Sequence, residues 1–288
     1  MPKFTVERQH RTFTDSHGVV VHYYVWAPGK PKGVVQIAHG VGEHALRYEL
    51  LAQALVEAGY AVYADDHRGH GQTGVEFWKG DLTQIGRLGP GGLRATQQNL
   101  LELTVLAKAE HPDLPFVMLG HSWGSLMVQN LLNQGDHPWS AVVLTGTALR
   151  TPTDMNGGDL NARHRHLGDT GAEWLSRDPA VARAFVDDPL TTDAKILKLF
   201  GLADGLRLFG RPKRVQPAVP LLIMVGDDDP LGGEKSAKKL ADAYLRGGGL
   251  TDVELVVYPG ARHEVFNETN QAEVRADLIA WIDDRLFG

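Results

Sequence analysis

Ser122 is the residue of this sequence whose surroundings point most directly to chemistry. It stands between Gly120 and Gly124 in the stretch PFVMLGHSWGSLMVQ, residues 115–129. Apolar residues at 116–119 predict a strand and those at 126–132 predict a helix, so the serine falls on the turn between them. A serine on such a tight turn is strained, and small glycines on either side prevent clashes. Because the helix that follows directs backbone N–H groups toward developing negative charge, the pattern indicates a nucleophilic serine.

A nucleophilic serine needs a base to accept its proton and an acid to orient that base. The sequence has 13 histidines, and His263, in YPGARHEVFNE, is the one that follows the last predicted strand. Asp227, Asp228 and Asp229 come directly after the preceding predicted strand, LLIMV. The chain order serine, aspartate, histidine, with each group at or just beyond a strand end, is typical of α/β-hydrolases. Position alone leaves the three aspartates as alternatives.

Short apolar runs alternate along the chain with segments of helical periodicity. Continuous apolar strands are expected where helices cover both faces of a parallel sheet. We predict strands at 19–26, 33–38, 61–64, 116–119, 141–144, 221–225 and 253–257, and helices at 48–58, 91–109, 126–132, 234–245 and 272–286. Between the strand at 61–64 and the helix at 91–109 we predict a polar, glycine-rich loop. This alternation predicts the α/β class with a mostly parallel central sheet, and the chain order of serine, aspartate and histidine is the one expected of an α/β-hydrolase fold.

Residues 150–215 interrupt this alternation. No strand is predicted there, Pro152 and Pro179 punctuate the segment, and it is too long for an ordinary connection. We predict a helical cap at 150–215, inserted over the carboxyl edge of the sheet, and a hydrolase core formed by residues 1–149 and 216–288. The apolar positions of the run ILKLFGLADGLRLFG, residues 196–210, allow two interpretations: a lid surface that faces lipid, or a packed inner face.

The composition argues against several classes of protein. The 288 residues carry a formal net charge of −6 and a pI near 6.1, so nothing electrostatic favours a nucleic-acid partner. Cysteine is absent, which excludes disulfides, thiolate nucleophiles and cysteine-ligated metals. No phosphate-loop, dinucleotide or His-Glu-x-x-His pattern occurs, so we expect no cofactor and no metal. Without a leader or a long apolar run, we expect no membrane span and a cytoplasmic location, and leave open an association with lipid surfaces.

Further motifs resemble the α/β-hydrolase superfamily and, within it, the monoacylglycerol lipase and lysophospholipase-like group. Besides GHSWG, the segments that carry the resemblance are HGVGEHALRY (39–48), DHRGHGQTG (66–74), SRDPAVARAFVDDPL (176–190) and YPGARHEVFNE (258–268). They are similar to the group's His-Gly-x-Gly-Glu-His segment, its Asp-x-Arg-Gly-His-Gly-x-Ser stretch, the cap of bacterial members and the histidine loop. Thr73 stands where the group usually has serine. Trp123-Gly124-Ser125 stands where it has Met-Gly-Gly, and resembles proline iminopeptidases instead.

The resemblance implies a role for individual residues. Ser122 would be the nucleophile and His263 the general base, and the group's acid, three positions after the strand-end glycine, corresponds to Asp229. The backbone N–H groups of Val41 and Trp123 would form the oxyanion hole, each contributing on the order of 3 kcal/mol in the transition state. The implied reaction is cofactor-independent hydrolysis of a carboxylic ester through an acyl-enzyme. A monoacylglycerol or a similar single-chain lipid ester is the expected substrate.

Two other functions remain alternatives from the sequence. A proline-iminopeptidase-like amidase would need acidic cap residues to bind the substrate amine, and Asp159, Asp169 and Glu173 lie in the predicted cap. A catalytically silent ligand-binding α/β-hydrolase would be expected to lack part of the triad, which this sequence contains.

Overall fold

A mostly parallel sheet forms the centre of the protein. The computed structural model describes residues 6–193 and 195–288, and within them the eight strands lie in the order β1-β2-β4-β3-β5-β6-β7-β8. β2 runs antiparallel to both of its neighbours, and the other adjacent strands are parallel. The strands are β1 (Gln9–Thr14), β2 (Val20–Trp26), β3 (Gly33–Ala38), β4 (Tyr60–Asp65), β5 (Phe116–His121), β6 (Ala141–Thr145), β7 (Leu221–Gly226) and β8 (Val253–Tyr258). The predicted α/β class with a mostly parallel sheet is confirmed.

Helices cover both faces of the sheet. The described helices are α1 (Glu49–Glu57), α2 (Gly71–Phe77), α3 (Gly92–Glu110), α4 (Trp123–Leu132), α5 (Pro179–Asp187), α6 (Ile196–Arg207), α7 (Gly233–Ala243) and α8 (Gln271–Phe287). Successive strand side chains point to opposite faces, so Val34 of β3 joins the apolar layer of α3, α4 and α7. Its neighbour Val35 joins the layer of α1 and α8. This two-sided burial explains why the central strands are mostly apolar, while the buried Gln36 of β3 is hydrogen-bonded to Leu100 and Thr104 of α3.

Two elements of the structure were not predicted. β1 pairs with β2 along one edge of the sheet. The prediction of a loop throughout the segment after β4 was wrong, because α2 lies within it. Three glycines between 69 and 74 disfavour a helix locally, but one nearby and one remote hydrogen bond compensate. The Asp66 carboxylate accepts a hydrogen bond from the N–H of Gln72 (2.7 Å), and Thr73 Oγ1 accepts one from the N–H of His22 (2.9 Å).

A long connection, residues 146–220, joins β6 to β7; we call it the β6–β7 segment. Its described residues contain α5, α6 and a 3₁₀ turn at Arg165–Leu167, and no strand. At Gly201 (φ 75°) the backbone leaves the helical conformation and divides α6 into two pieces. The segment therefore contributes short helices and irregular chain beyond the carboxyl ends of the parallel strands, where ligands bind in such sheets.

Candidate active site

Ser122 occupies the turn between β5 and α4. Its backbone has φ 51° and ψ −123°, a conformation that is costly for a residue with a side chain. The turn is held in place by the Ser122 N–H, which donates to the carbonyl oxygen of Thr145 at 2.9 Å. A Cβ atom on Gly124 would lie 2.1 Å from the carbonyl oxygen of Ala38, so only glycine fits there. The structure thus places Ser122 on the strained strand-to-helix turn that the sequence predicts.

Asp229 and His263 meet beyond the ends of β7 and β8, two adjacent parallel strands. His263 Nδ1 lies 2.9 Å from Asp229 Oδ1, which also accepts a hydrogen bond from the N–H of Leu231 at 2.8 Å. Both side chains are almost completely buried. The other ring nitrogen of His263, Nε2, is buried and has no hydrogen-bond partner among the described residues. Because His263 and Ser122 line the same cavity, this nitrogen is available to a group held there.

The other two aspartates of the sequence GDDDP have different partners. Asp228 Oδ2 lies 2.8 Å from His164 Nε2 in the β6–β7 segment, and the Arg163 guanidinium lies 3.2 Å from Asp228 Oδ1. Asp227 Oδ1 accepts a hydrogen bond from the N–H of Gly260 at 2.6 Å. Of the three alternatives, the structure therefore brings only Asp229 to His263.

The electrostatic surroundings favour a proton on His263. Burial by itself would lower the pKa of this imidazole, but the charge and hydrogen bond of Asp229 outweigh it, and Glu264 and Glu43 add to the effect. The net result is a pKa raised above the ordinary imidazole value. His121 lies beside it, with ring centroids 4.8 Å apart, and burial together with the charge of His263 lowers the pKa of His121 to about 3. His121 is therefore neutral and does not compete for the proton.

The backbone amides of Val41 and Trp123 lie close to Ser122. Trp123 is the first residue of α4, directly after Ser122, and Val41 lines the cavity with Ser122 and His263. Neither N–H donates a hydrogen bond to another of the described residues. Free donors at a helix N-terminus are suited to negative charge on a reacting oxygen. The structure therefore puts the two predicted oxyanion donors next to the predicted nucleophile.

The β6–β7 segment closes the cavity beside Ser122. Its residues Trp174, Leu175 and Phe185 line the cavity, and the Trp174 ring packs on His263 with centroids 4.8 Å apart. The cavity has a volume of about 10 Å³, roughly the space that one water molecule needs. This volume is smaller than an acyl chain.

Trp123, the residue that departs from the lipase-like motif, is buried against the β6–β7 segment. Its indole ring contacts Phe200 of α6, with centroids 4.8 Å apart, and lies 5.2 Å from the ring of His70. The contact with Phe200 shows that the apolar run at 196–210 does not have a single role. Ile196, Leu199 and Phe200 are half-buried, whereas Ala203 and Leu206 are exposed.

The acidic residues that an amidase would need are already bound by other groups. Asp159 pairs with Arg165, and Asp169 pairs with Arg183, both on the exposed surface. Glu173 is buried and accepts hydrogen bonds from Asn161 (2.7 Å) and from the backbone and hydroxyl of Thr170 (2.7 Å each).

Sequence reasoning missed a set of buried charges next to the site: Glu43, Arg47 and Glu264. Glu43 and Glu264 line the cavity, and Arg47 lies between them and pairs with both. Glu43 and Arg47 lie in the segment HGVGEHALRY, and Glu264 lies in YPGARHEVFNE. The sequence signal for a charge beside the site was that Glu264 directly follows His263.

Residues 6–193 and 195–288 contain neither a membrane-spanning helix nor a metal-ion site. Among them, no helix is both long and apolar enough to cross a membrane. No group of three or more histidine, aspartate or glutamate side chains is arranged to hold a metal ion there.

Comparison with known proteins identifies the family. A family model described as "Serine aminopeptidase, S33" matches residues 29–270, most of the chain. The chain belongs to this family. The S33 family member is 35% identical over 292 residues to a monoacylglycerol lipase of Mycolicibacterium smegmatis, covering 97% of this chain and 98% of that protein. It is 26% identical over 275 residues to the monoglyceride lipase of Rattus norvegicus, covering 91% of this chain and 86% of that one.

A solved structure also resembles this S33 family member. It is a thermostable carboxyl esterase from Bacillus coagulans in complex with glycerol, with a TM-score of 0.81 and 25% identity over 98% of this chain and all of that one (100%). The predicted α/β-hydrolase fold and the predicted resemblance to monoacylglycerol lipases are confirmed.

Proposed function

We propose that the protein hydrolyses the ester bond of monoacylglycerols and similar single-chain esters, with Ser122, His263 and Asp229 as its catalytic residues. The observation that carries the proposal is the geometry of His263, whose Nδ1 is bound to Asp229 while its unpartnered Nε2 belongs to the cavity that Ser122 lines. The substrate class is supported by the monoacylglycerol lipase that is 35% identical over nearly the full length of both chains.

In the first half of the reaction Ser122 Oγ attacks the carbonyl carbon of the ester while His263 Nε2 takes the hydroxyl proton. The electrons of the carbonyl bond move to its oxygen, and the N–H groups of Val41 and Trp123 stabilise the resulting negative charge. Asp229, which holds Nδ1–H, stabilises the imidazolium. The intermediate then expels the glycerol oxygen, which takes the proton from Nε2, and an acyl-serine remains.

The second half of the reaction repeats these steps with water. His263 Nε2 takes a proton from a water molecule as that water attacks the acyl carbonyl carbon, and the same two N–H groups hold the oxyanion. Collapse of this intermediate breaks the bond to Ser122 Oγ, which recovers its proton from His263. A carboxylic acid leaves, and the serine is ready for another ester.

We further propose that residues 150–215 form a cap over a core of residues 1–149 and 216–288, and that the cap meets lipid surfaces. Trp174, Leu175 and Phe185 support the first statement, since they cover the serine. The second is supported by Leu197, Leu202 and Leu206 of α6, which are more than half exposed. An outward apolar face of this kind is stabilised when a lipid surface buries it. For the compartment we propose the cytoplasm, which the absence of cysteine supports.

An amidase that recognises a substrate amine is the less favoured alternative. It would need a free carboxylate near Ser122, but Asp159, Asp169 and Glu173 are bound to other groups of the cap. The two acids of the cavity wall, Glu43 and Glu264, are both paired with Arg47. A silent ligand-binding protein is disfavoured by the complete set of nucleophile, base, acid and oxyanion donors.

Parallel assays on one preparation test the proposal. We expect hydrolysis of a long-chain monoacylglycerol and of p-nitrophenyl esters, slow or no cleavage of a prolyl anilide, and covalent labelling of Ser122 by a fluorophosphonate. The Ser122→Ala variant, which removes only the hydroxyl, is the control for all three. Faster cleavage of the anilide than of the esters would favour the amidase, and an unlabelled, inactive wild-type protein would favour the silent one.

A further inference from the structure

We propose that Arg47 is a positioning residue that holds the loop of Val41 and the loop of His263 at a fixed separation. It acts through two carboxylates, Glu43 on one loop and Glu264 on the other, and does not itself touch the ester. This inference rests on the proposed function, because it concerns the spacing between the oxyanion hole and the general base.

The first contact orients the oxyanion loop. Glu43 Oε2 accepts a hydrogen bond from Arg47 Nη1 at 2.8 Å. Its other oxygen, Oε1, accepts one from the N–H of Gly40 at 2.6 Å and one from the hydroxyl of Tyr48 at 2.8 Å. Gly40 directly precedes Val41, so the carboxylate that binds Arg47 also determines the direction of the chain that presents the Val41 N–H.

The second contact orients the histidine loop. Arg47 Nη1 and Nη2 donate to Glu264 Oε1 and Oε2, at 2.6 Å and 2.9 Å. Such a bidentate pair fixes both the distance and the relative orientation of the two groups. Glu264 is bonded directly to His263, and its own N–H donates to the carbonyl oxygen of Leu175 at 2.8 Å. A change at Arg47 is therefore transmitted to the imidazole through a single peptide unit.

The β6–β7 segment rests on the same arginine. The Arg47 guanidinium lies 4.9 Å from the centre of the Phe185 ring, which also lines the cavity of Ser122. Beside it, His44 Nε2 lies 2.9 Å from the carboxylate of Asp188, the residue directly after the end of α5 on the segment. Arg47 is thus the point at which the oxyanion loop, the histidine loop and the covering segment meet.

Stability alone is a poor explanation for this cluster. The side chains of Arg47, Glu43 and Glu264 are 11%, 4% and 5% exposed, and removing three charges from water costs several kcal/mol for each. Apolar side chains of similar volume often stabilise such a site as well or better. Two carboxylates against one guanidinium also leave a net negative charge beside the imidazole, which favours the imidazolium formed during catalysis.

Two variants separate geometry from charge. Arg47→Lys keeps the positive charge and loses the bidentate fork. We expect its kcat for p-nitrophenyl butyrate to fall about 10- to 100-fold with KM changed less than about threefold, because the reacting groups are misplaced but the ester still binds. The rate of fluorophosphonate labelling should fall in parallel.

Glu264→Gln keeps the shape of the side chain and removes one of the negative charges that face His263. The charged groups around this imidazole are Asp229, Glu43, Glu264 and, through its two ion pairs, Arg47; His121 is neutral. Loss of this negative charge should lower the pKa of His263. The acid limb of the kcat/KM profile should therefore move to lower pH by about 0.5 pH unit.

Asp15→Asn is the matched control for both variants. Asp15 forms a fully buried ion pair with Arg68, and neither residue lines the Ser122 cavity. This control should lower Tm and leave kcat and the pH profile unchanged. A wild-type kcat in Arg47→Lys, an unmoved acid limb in Glu264→Gln, or an equal loss of kcat in the control would overturn the inference. If a fluorophosphonate labels the wild type but the wild type does not cleave monoacylglycerols, only the proposed substrate class is refuted. The labelling rates of the variants then still test whether Arg47 positions the reacting groups.

Discussion

Replacing the outward leucines of α6 with serine should weaken binding to lipid surfaces and spare the hydrolysis of a soluble ester. Leu197, Leu202 and Leu206 are 62%, 68% and 58% exposed. Burying a complete leucine side chain contributes about 1.5–3 kcal/mol, so covering the exposed part of each contributes roughly 1–2 kcal/mol. The three together contribute about 3–6 kcal/mol. At about 1.4 kcal/mol for each factor of ten, the triple variant should bind roughly 100- to 10,000-fold more weakly.

The assay is co-sedimentation with phosphatidylcholine vesicles that contain monoacylglycerol, run beside hydrolysis of p-nitrophenyl acetate in solution. Leu50→Ser is the matched control, because Leu50 lies on α1 and is 62% exposed, as Leu197 is. It should change neither measurement. Leu199→Ser is a second control, since this half-buried side chain packs near Gly86 and should affect stability rather than vesicle binding. Unchanged sedimentation of the triple variant, or equal weakening by Leu50→Ser, would refute the reasoning.

The remaining predictions concern the proposed catalytic residues. Ser122→Ala should abolish fluorophosphonate labelling and lower kcat by several orders of magnitude, and labelling that persists would exclude Ser122 as the nucleophile. Asp229→Asn should lower kcat by roughly 10⁴ because the imidazole loses its orienting acid, whereas Asp228→Asn, which weakens contacts with His164, Arg163 and Arg262, should stay within about tenfold; the opposite ranking would reassign the acid. Because only neutral His263 accepts the serine proton and its pKa is raised, kcat/KM should fall with decreasing pH, with a midpoint above the ordinary imidazole value of about 6.5; a midpoint below that value would contradict the electrostatic argument.

Several features of this protein followed from the sequence by itself. The turn at Ser122 could be predicted because its causes are local: an apolar strand, a glycine that allows close approach, and a helix directly afterwards. The parallel sheet could be predicted because strands covered on both faces are apolar throughout. The chain order of Ser122, the aspartates and His263 then placed all of the candidate groups at one edge of the sheet.

Other features depended on the tertiary structure. Asp227, Asp228 and Asp229 are consecutive in the chain, so their sequence positions barely distinguish them. The path of the chain after β7 directs Asp229 toward His263 and Asp228 toward His164. The apolar run at 196–210 has both inward and outward residues, since Leu208 is buried whereas Leu197 and Leu206 are exposed. α2 forms against its local propensity because Asp66, just before it, and His22 of the remote strand β2 both form hydrogen bonds with its first turn.

The buried cluster of Arg47 was also decided by tertiary structure. Arg47 and Glu264 are 217 positions apart, and no periodicity in the chain relates them. Hydrophobic patterning determines which segments become strands and helices, because it depends on neighbours within a few positions. The direction of a polar side chain and its choice of partner depend instead on how segments that are remote in sequence pack together.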